Sequence, residues 1–143
     1  MSNEGSQENN WRNKTIQSLD QKDYGDPNHA PTPMVKRCLE LCRTPLNEFA
    51  VEDVRLMIGQ EFSLKYFVPL AIEFITRDIL VEGEYYPGDL LTNILQIDPS
   101  FWRENEPMWR QIFELMKDKR AELAIHKIDT TTFDSAFNGR FAV

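Results

Sequence analysis

The stretch SLKYFVPLAIEFITRDI, residues 63–79, constrains the fold more than any other part of the chain. Tyr66, Phe67, Leu70, Ala71, Phe74 and Ile75 recur at spacings of three and four, which puts a wide apolar stripe on one side of an α-helix. A strand would have to bury alternate residues, and this pattern does not alternate. Ser63 is placed to cap the helix. Pro69 lies inside it, and predicts a kink or a late start rather than a break.

The rest of the chain agrees with a helical reading. Thr32-Pro33 makes a helix start, a capping hydroxyl followed by proline at the first helical position. Met34, Cys38 and Leu41 beside Val35, Leu39 and Cys42 then form one apolar face, and Thr44-Pro45 stops it. LNEFAVEDVRLMIGQ predicts a short buried helix carrying Val51, Val54, Leu56, Met57 and Ile58, with Gly59 able to take a left-handed exit. Its N-cap position holds Ala50, which has no acceptor, so the start is weaker than a Ser or Thr version by about 1 kcal/mol. DLLTNILQI predicts another helix, and Asp98-Pro99 starts a short one ending near Asn105. Asn105 and Pro107 open a long helix on Met108, Trp109, Ile112, Phe113, Leu115 and Met116, running to about Ile125. The tail TTTFDSAFNGRFAV holds one helical turn ending at Gly139.

No run of strand-like alternation and no internal repeat occurs. The prediction is an all-α fold, a single domain of about five to seven helices. Residues 1–13 are polar and read as a mobile tail, leaving 14–143 as the helical domain. Prolines 27, 31 and 33 with Gly25 and Asn28 predict an irregular segment before the first long helix, anchored through Ile16, Leu19 and Tyr24.

Composition narrows the function classes. A length of 143 residues with 41% hydrophobic side chains suffices for one core. No apolar run is long enough to span a bilayer, and the polar N-terminus has no signal region, so the expected location is the cytoplasm. Cys38 and Cys42 on an apolar face read as small core residues in a reducing compartment. The net charge of −7 argues against direct nucleic-acid binding, which needs a basic footprint, and suits a basic protein partner. The imbalance is concentrated: residues 46–89 hold 9 acidic and 3 basic side chains, whereas residues 1–45 hold 6 of each.

Chemistry is sparse. The two histidines, His29 and His126, have no partner motif, so neither a metal site nor a cofactor is expected. There is no nucleophile elbow and no phosphate-cradling glycine loop. The paired carboxylates Glu52-Asp53 and Glu82/Glu84 would be the material for acid–base catalysis, but nothing else marks them, and no catalytic residue is assigned.

VEGEYYPGDLL, residues 81–91, stands out instead. Read structurally, Gly83, Pro87 and Gly88 shape a turn and Tyr85 and Tyr86 cover the core edge. Read as a contact surface, the tyrosines are anchors with polar tips, and Glu82, Glu84 and Asp89 supply charge for a basic partner. Both readings stay open, because a rigid turn is a good platform for contacts. Charge and aromatic placement single out Glu52, Asp53, Glu61, Glu82, Glu84, Tyr85, Tyr86 and Asp89 as candidate contact residues.

The segments VKRCLEL, PLNEFAVEDVRLMIGQ, LKYFVPLAIE, GEYYPGDLL and FWRENEPMW, in that order between about Lys14 and Trp109, resemble the immunity proteins of bacterial contact-dependent growth inhibition systems. Ala50 departs from the Thr or Ser typical of that family before the VEDLR motif, which affects only the cap. The part from about Ile128 looks less like the family. The resemblance implies a non-catalytic protein that binds a cognate toxin domain, carried at the C-terminus of a large surface exoprotein, and blocks it by occlusion. Such toxins are often nucleases with basic substrate clefts, to which an acidic surface would steer. A chain of 143 residues with one predicted core leads to the expectation of a protein monomeric when free that pairs one-to-one with its toxin, and the short apolar runs to no membrane partner. The other function class open to the sequence is an acidic helical adaptor for some other basic protein.

Overall fold

Apolar residues spaced three and four apart close into helices along most of residues 10–137, the span that the computed structural model describes. Within it lie nine α-helices: α1 Ile16–Leu19, α2 Pro33–Cys42, α3 Val51–Gly59, α4 Leu64–Arg77, α5 Asp89–Leu95, α6 Pro99–Glu104, α7 Glu106–Met116, α8 Arg120–Ile125 and α9 Thr131–Asp134. Single 3-10 turns occupy Asn10–Asn13, Pro27–His29 and Leu46–Glu48. The fold is all-α among the described residues, with Glu82 and Pro87 forming an isolated antiparallel bridge.

The helix number exceeds the five to seven expected for two reasons. Ile16–Leu19 forms a helical turn inside the segment expected to be irregular, with Thr15 Oγ1 accepting from the Ser18 N–H. The long helix expected over residues 106–125 is also split. Trp109, Ile112 and Met116 are buried, but the next positions are the exposed Lys117, Asp118 and Lys119, which carry nothing to keep the stripe on the core. The chain tightens there, with the Lys119 N–H bonded to the Met116 carbonyl at 2.9 Å, and restarts as α8 with Leu123 buried.

Helix α4 is the core helix, burying Phe67, Val68, Leu70, Ala71, Ile72 and Ile75. It runs unbroken through Pro69, which removes only the bond to the carbonyl one turn earlier. Helices α3, α5 and α7 pack on it, and α3 also lies against α5 and α2. Thr32 caps α2 through the Val35 N–H and Asp98 caps α6 through the Ser100 N–H. Ser63 does not cap α4. It sits in the left-handed region at φ 40°, and its hydroxyl donates to Asp20 instead, tying the 14–31 segment to the α3–α4 corner. The left-handed exit of α3 belongs to Glu61 (φ 59°), not Gly59. Gly59 has another reason to be small, since a Cβ there would lie 2.8 Å from the Asn93 amide of α5.

Ile16 is fully buried, and Leu19 and Tyr24 pack against the core, so the anchors expected for this segment are the ones used. Contacts with α4 begin before Lys14: Trp11 packs on Tyr66 with ring centroids 5.8 Å apart, and Arg12 pairs with Glu73. Residues 1–9 of the expected mobile tail lie outside the described residues, as does Gly139. At the far end, Trp109 donates from Nε1 to the Phe133 carbonyl at 2.8 Å and packs on Phe113, Phe133 and Phe137. This cluster holds α9 against α6 and α7.

Candidate functional site

The loop between α4 and α5 is built from its glycines and one buried acid. Gly88 has φ +86°, and a Cβ there would come within 2.6 Å of Ile128, so both backbone and space require glycine. The Gly88 N–H bonds the Leu80 carbonyl at 3.0 Å and closes the loop at its base. Asp89, the first residue of α5, is 2% exposed and turns its carboxylate back under the loop. It accepts from the Gly83 N–H at 2.7 Å and the Tyr85 N–H at 3.0 Å. A second carboxylate reaches the loop from α3, where Glu52 accepts from the Glu84 N–H at 2.9 Å. Gly83 passes close over both acids; a Cβ would lie 2.6 Å from Glu52 Oε1 and 3.2 Å from Asp89 Oδ2. The turn geometry and the exposed tyrosines therefore coexist.

Tyr85 is 63% exposed and Tyr86 47%, so two adjacent rings with polar tips stand open to solvent on this loop. The Arg55 guanidinium lies 4.6 Å from the Tyr85 ring centroid and grips Glu52 with two bonds of 2.7 and 2.8 Å. The Glu52 carboxylate pushes the Arg55 pKa further up. Across from it, Arg37 of α2 pairs with Asp53 at 3.0 Å, and Asp53 pushes the Arg37 pKa up in the same way. Asp53 also accepts from the Ala50 N–H, which is half of a capping box whose other half Ala50 cannot make.

These residues surround a groove of about 640 Å³. Helix α2 contributes Pro33, Met34 and Arg37; α3 and its cap contribute Ala50, Glu52, Asp53, Arg55 and Leu56; the loop contributes Glu84 and Tyr85. Of the eight candidate contact residues, Glu52, Asp53, Glu84 and Tyr85 line this groove. Glu82 and Tyr86 are exposed on the same loop beside it. Asp89 lies beneath the loop and faces inward. Glu61 stands apart: α3 advances about 9 Å between Asp53 and Gly59 at 1.5 Å per residue, and Glu61 lines a separate cleft of about 280 Å³ with Gln60, Asn93 and Gln96.

Sequence reasoning missed Met34, Arg37 and Arg55. Met34 was assigned to the core face of α2, yet the buried residues of that helix are Cys38, Leu39, Leu41 and Cys42, and Met34 is 48% exposed one turn before them. Arg55 carried a signal, standing three residues after Glu52 on the same helical face. Arg37 carried none, because its partner Asp53 is 16 residues away on another helix.

Among the described residues no group of three or more His, Cys, Asp or Glu could hold a metal ion, and no helix is long and apolar enough to cross a membrane. Comparison with known families identifies the architecture. Residues 11–112 match the model of the CDI immunity proteins, those of contact-dependent growth inhibition. The chain belongs to this family. It is a toxin-neutralising immunity protein, and binding a cognate toxin is its role. No curated protein and no solved structure matches the chain. The matched span of the immunity protein includes the N-terminal Trp11 turn, the whole groove and the tyrosine loop, and it stops inside α7, before α8 and α9.

Proposed function

We propose that this immunity protein neutralises its toxin by covering it, one to one, in the cytoplasm and without catalysis, and that the α2–α3 groove with the 82–86 loop is the contact face. The observation that carries this reading is the loop itself. It holds two exposed tyrosines and the carboxylates of Glu82 and Glu84 on a backbone fixed from below by Asp89 and from α3 by Glu52. Rigid aromatic anchors lose little entropy on binding and make effective contact residues. Glu82 and Glu84 have no ion pair among the described residues, so their field is available to a basic partner. A nuclease toxin with a basic substrate cleft fits that charge.

Asp89 enters this reading as the residue that holds the loop, and Glu61 as a peripheral carboxylate further along α3. The test is protection of cells expressing the toxin domain by the triple variant Glu82→Gln, Glu84→Gln, Tyr85→Ala. Loss of protection with the variant still folded is expected. Full protection by the folded variant would move the contact face elsewhere on the immunity protein.

A further inference from the structure

Summed charge suggests that the groove receives basic side chains. Its internal geometry argues otherwise. Glu52 is held bidentately by Arg55, and Asp53 by a single bond from Arg37, so four of the five charges lining the groove cancel in pairs and only Glu84, on its loop side, is left without an ion pair among the described residues. A partner guanidinium taking Glu52 would displace an equivalent guanidinium that also stacks on Tyr85, and the exchange leaves nothing gained. Apart from Glu84, what stays uncovered in the groove is apolar: Met34 at 48% exposure, the part of the exposed Tyr85 ring that Arg55 does not cover, the exposed Pro33 and Ala50, and part of Leu56. The carboxylates without ion pairs, Glu82 and Glu84, sit on the loop at its edge.

We infer that the groove takes an apolar or aromatic anchor side chain of the toxin, carried on a basic segment whose cations meet Glu82 and Glu84 on the loop. This rests on the groove being the contact face, and it assigns separate tasks to the two kinds of residue. The apolar slot sets how long the complex lasts. The edge carboxylates set how fast it forms, through a field that salt screens. The self-paired charges in the groove contribute shape and leave Glu84, at the loop side, as its one carboxylate without an ion pair among the described residues, so an unrelated basic protein gains little from the groove floor.

The experiment is binding kinetics between the full-length immunity protein and the C-terminal toxin domain of the exoprotein encoded beside its gene, at low and high salt. Met34→Ala and Tyr85→Ala should each raise the dissociation rate at least tenfold, with association within twofold of wild type. Glu82→Gln with Glu84→Gln should slow association severalfold at low salt, flatten its salt dependence and leave dissociation nearly unchanged. Replacing both pairs with neutral amides (Glu52→Gln, Arg55→Gln, Asp53→Asn and Arg37→Gln) should change affinity less than Met34→Ala does. Should that quadruple variant lose more than tenfold while Met34→Ala is silent, the groove reads charge and the inference falls. If Met34→Ala, Tyr85→Ala and the glutamate double variant all bind as wild type does, the contact face itself is misplaced. Thermal unfolding of each variant separates lost contacts from lost fold.

Discussion

Removing the Asp89 carboxylate should be the most damaging single change to the tyrosine loop. The side chain is 2% exposed and accepts two well-formed backbone bonds, from Gly83 at 2.7 Å and Tyr85 at 3.0 Å; the third contact, from Tyr86 at 3.5 Å, is too long to count. Hydrogen bonds to an ionised acceptor contribute about 1.5–3 kcal/mol each. Two of them at the lower end give about 3 kcal/mol for Asp89→Ala, the lower end being right because the loop is at the surface and water can reach the freed N–H groups. Asp89→Asn keeps one oxygen but turns an NH₂ toward the other N–H, so one bond is lost and a donor faces a donor. About 1–2 kcal/mol is expected, between wild type and alanine. Glu82→Ala on the exposed side of the same loop should cost almost nothing. Urea unfolding followed by far-UV circular dichroism measures all three, and amide exchange at Gly83 and Tyr85 reports whether the loss is local. A cost below about 1 kcal/mol for Asp89→Ala, with an unchanged denaturant slope, would mean that the carboxylate does not hold the loop.

Other outcomes follow from the same geometry. Ala50→Ser should stabilise the protein by about 1 kcal/mol in urea unfolding, because Ala50 already has extended N-cap angles and Asp53 already makes the return bond. Gly88→Ala should destabilise by about 2 kcal/mol or more, since it combines a φ of +86° with a 2.6 Å approach to Ile128; a near-neutral result would mean that Ile128 and its loop move aside at no cost. Burial pushes the Cys42 thiol up to about 11, with the Cys38 thiol and the nearby Asp20 carboxylate adding to it, so the folded state keeps it protonated where the unfolded chain has begun to ionise. Its contribution is complete below the ordinary thiol value near 9 and is lost as pH rises from there toward 11, by up to about 3 kcal/mol. Cys42→Ala should flatten the stability profile in that window, and an unchanged slope would show that other groups dominate it.

The parts of the fold legible in the sequence are those fixed by neighbours in the chain. The helical register of α4, the Thr32 and Asp98 caps and the missing cap at Ala50 all depend on contacts within four residues and stand as read, although the α4 stripe also buries Val68 and Ile72 and covers Tyr66 and Phe74 only in part. The misread positions are those where a distant partner decides. Ser63 has the residue type of a cap, but Asp20, 43 residues away, takes its hydroxyl. Gly59 has the residue type of a helix exit, but its smallness serves the approach of Asn93. Trp11 sits in a polar stretch of sequence, and its contact with Tyr66, 55 residues away, is visible only in the fold. The loop 81–89 was conspicuous from its composition, yet composition could not separate Asp89, which faces inward, from Glu84, which faces water.

The same limit explains the charge of the central segment. Counting along the chain gives residues 46–89 nine acids against three bases, as though that third of the protein were a bare acidic surface. Folding brings in cations from the first third: Arg12 onto Glu73 and Arg37 onto Asp53, while Arg55 takes Glu52 from within. Asp89 goes under the loop to backbone N–H groups. The remaining carboxylates of residues 46–89, left without an ion pair among the described residues, are Glu48, Glu61, Asp78, Glu82 and Glu84, of which Glu82 and Glu84 stand on the tyrosine loop and Glu61 lies apart at the far end of α3. Association should accordingly show a shallower salt dependence than six uncompensated charges would give, with Glu82 and Glu84, the carboxylates on the proposed contact face, accounting for most of it.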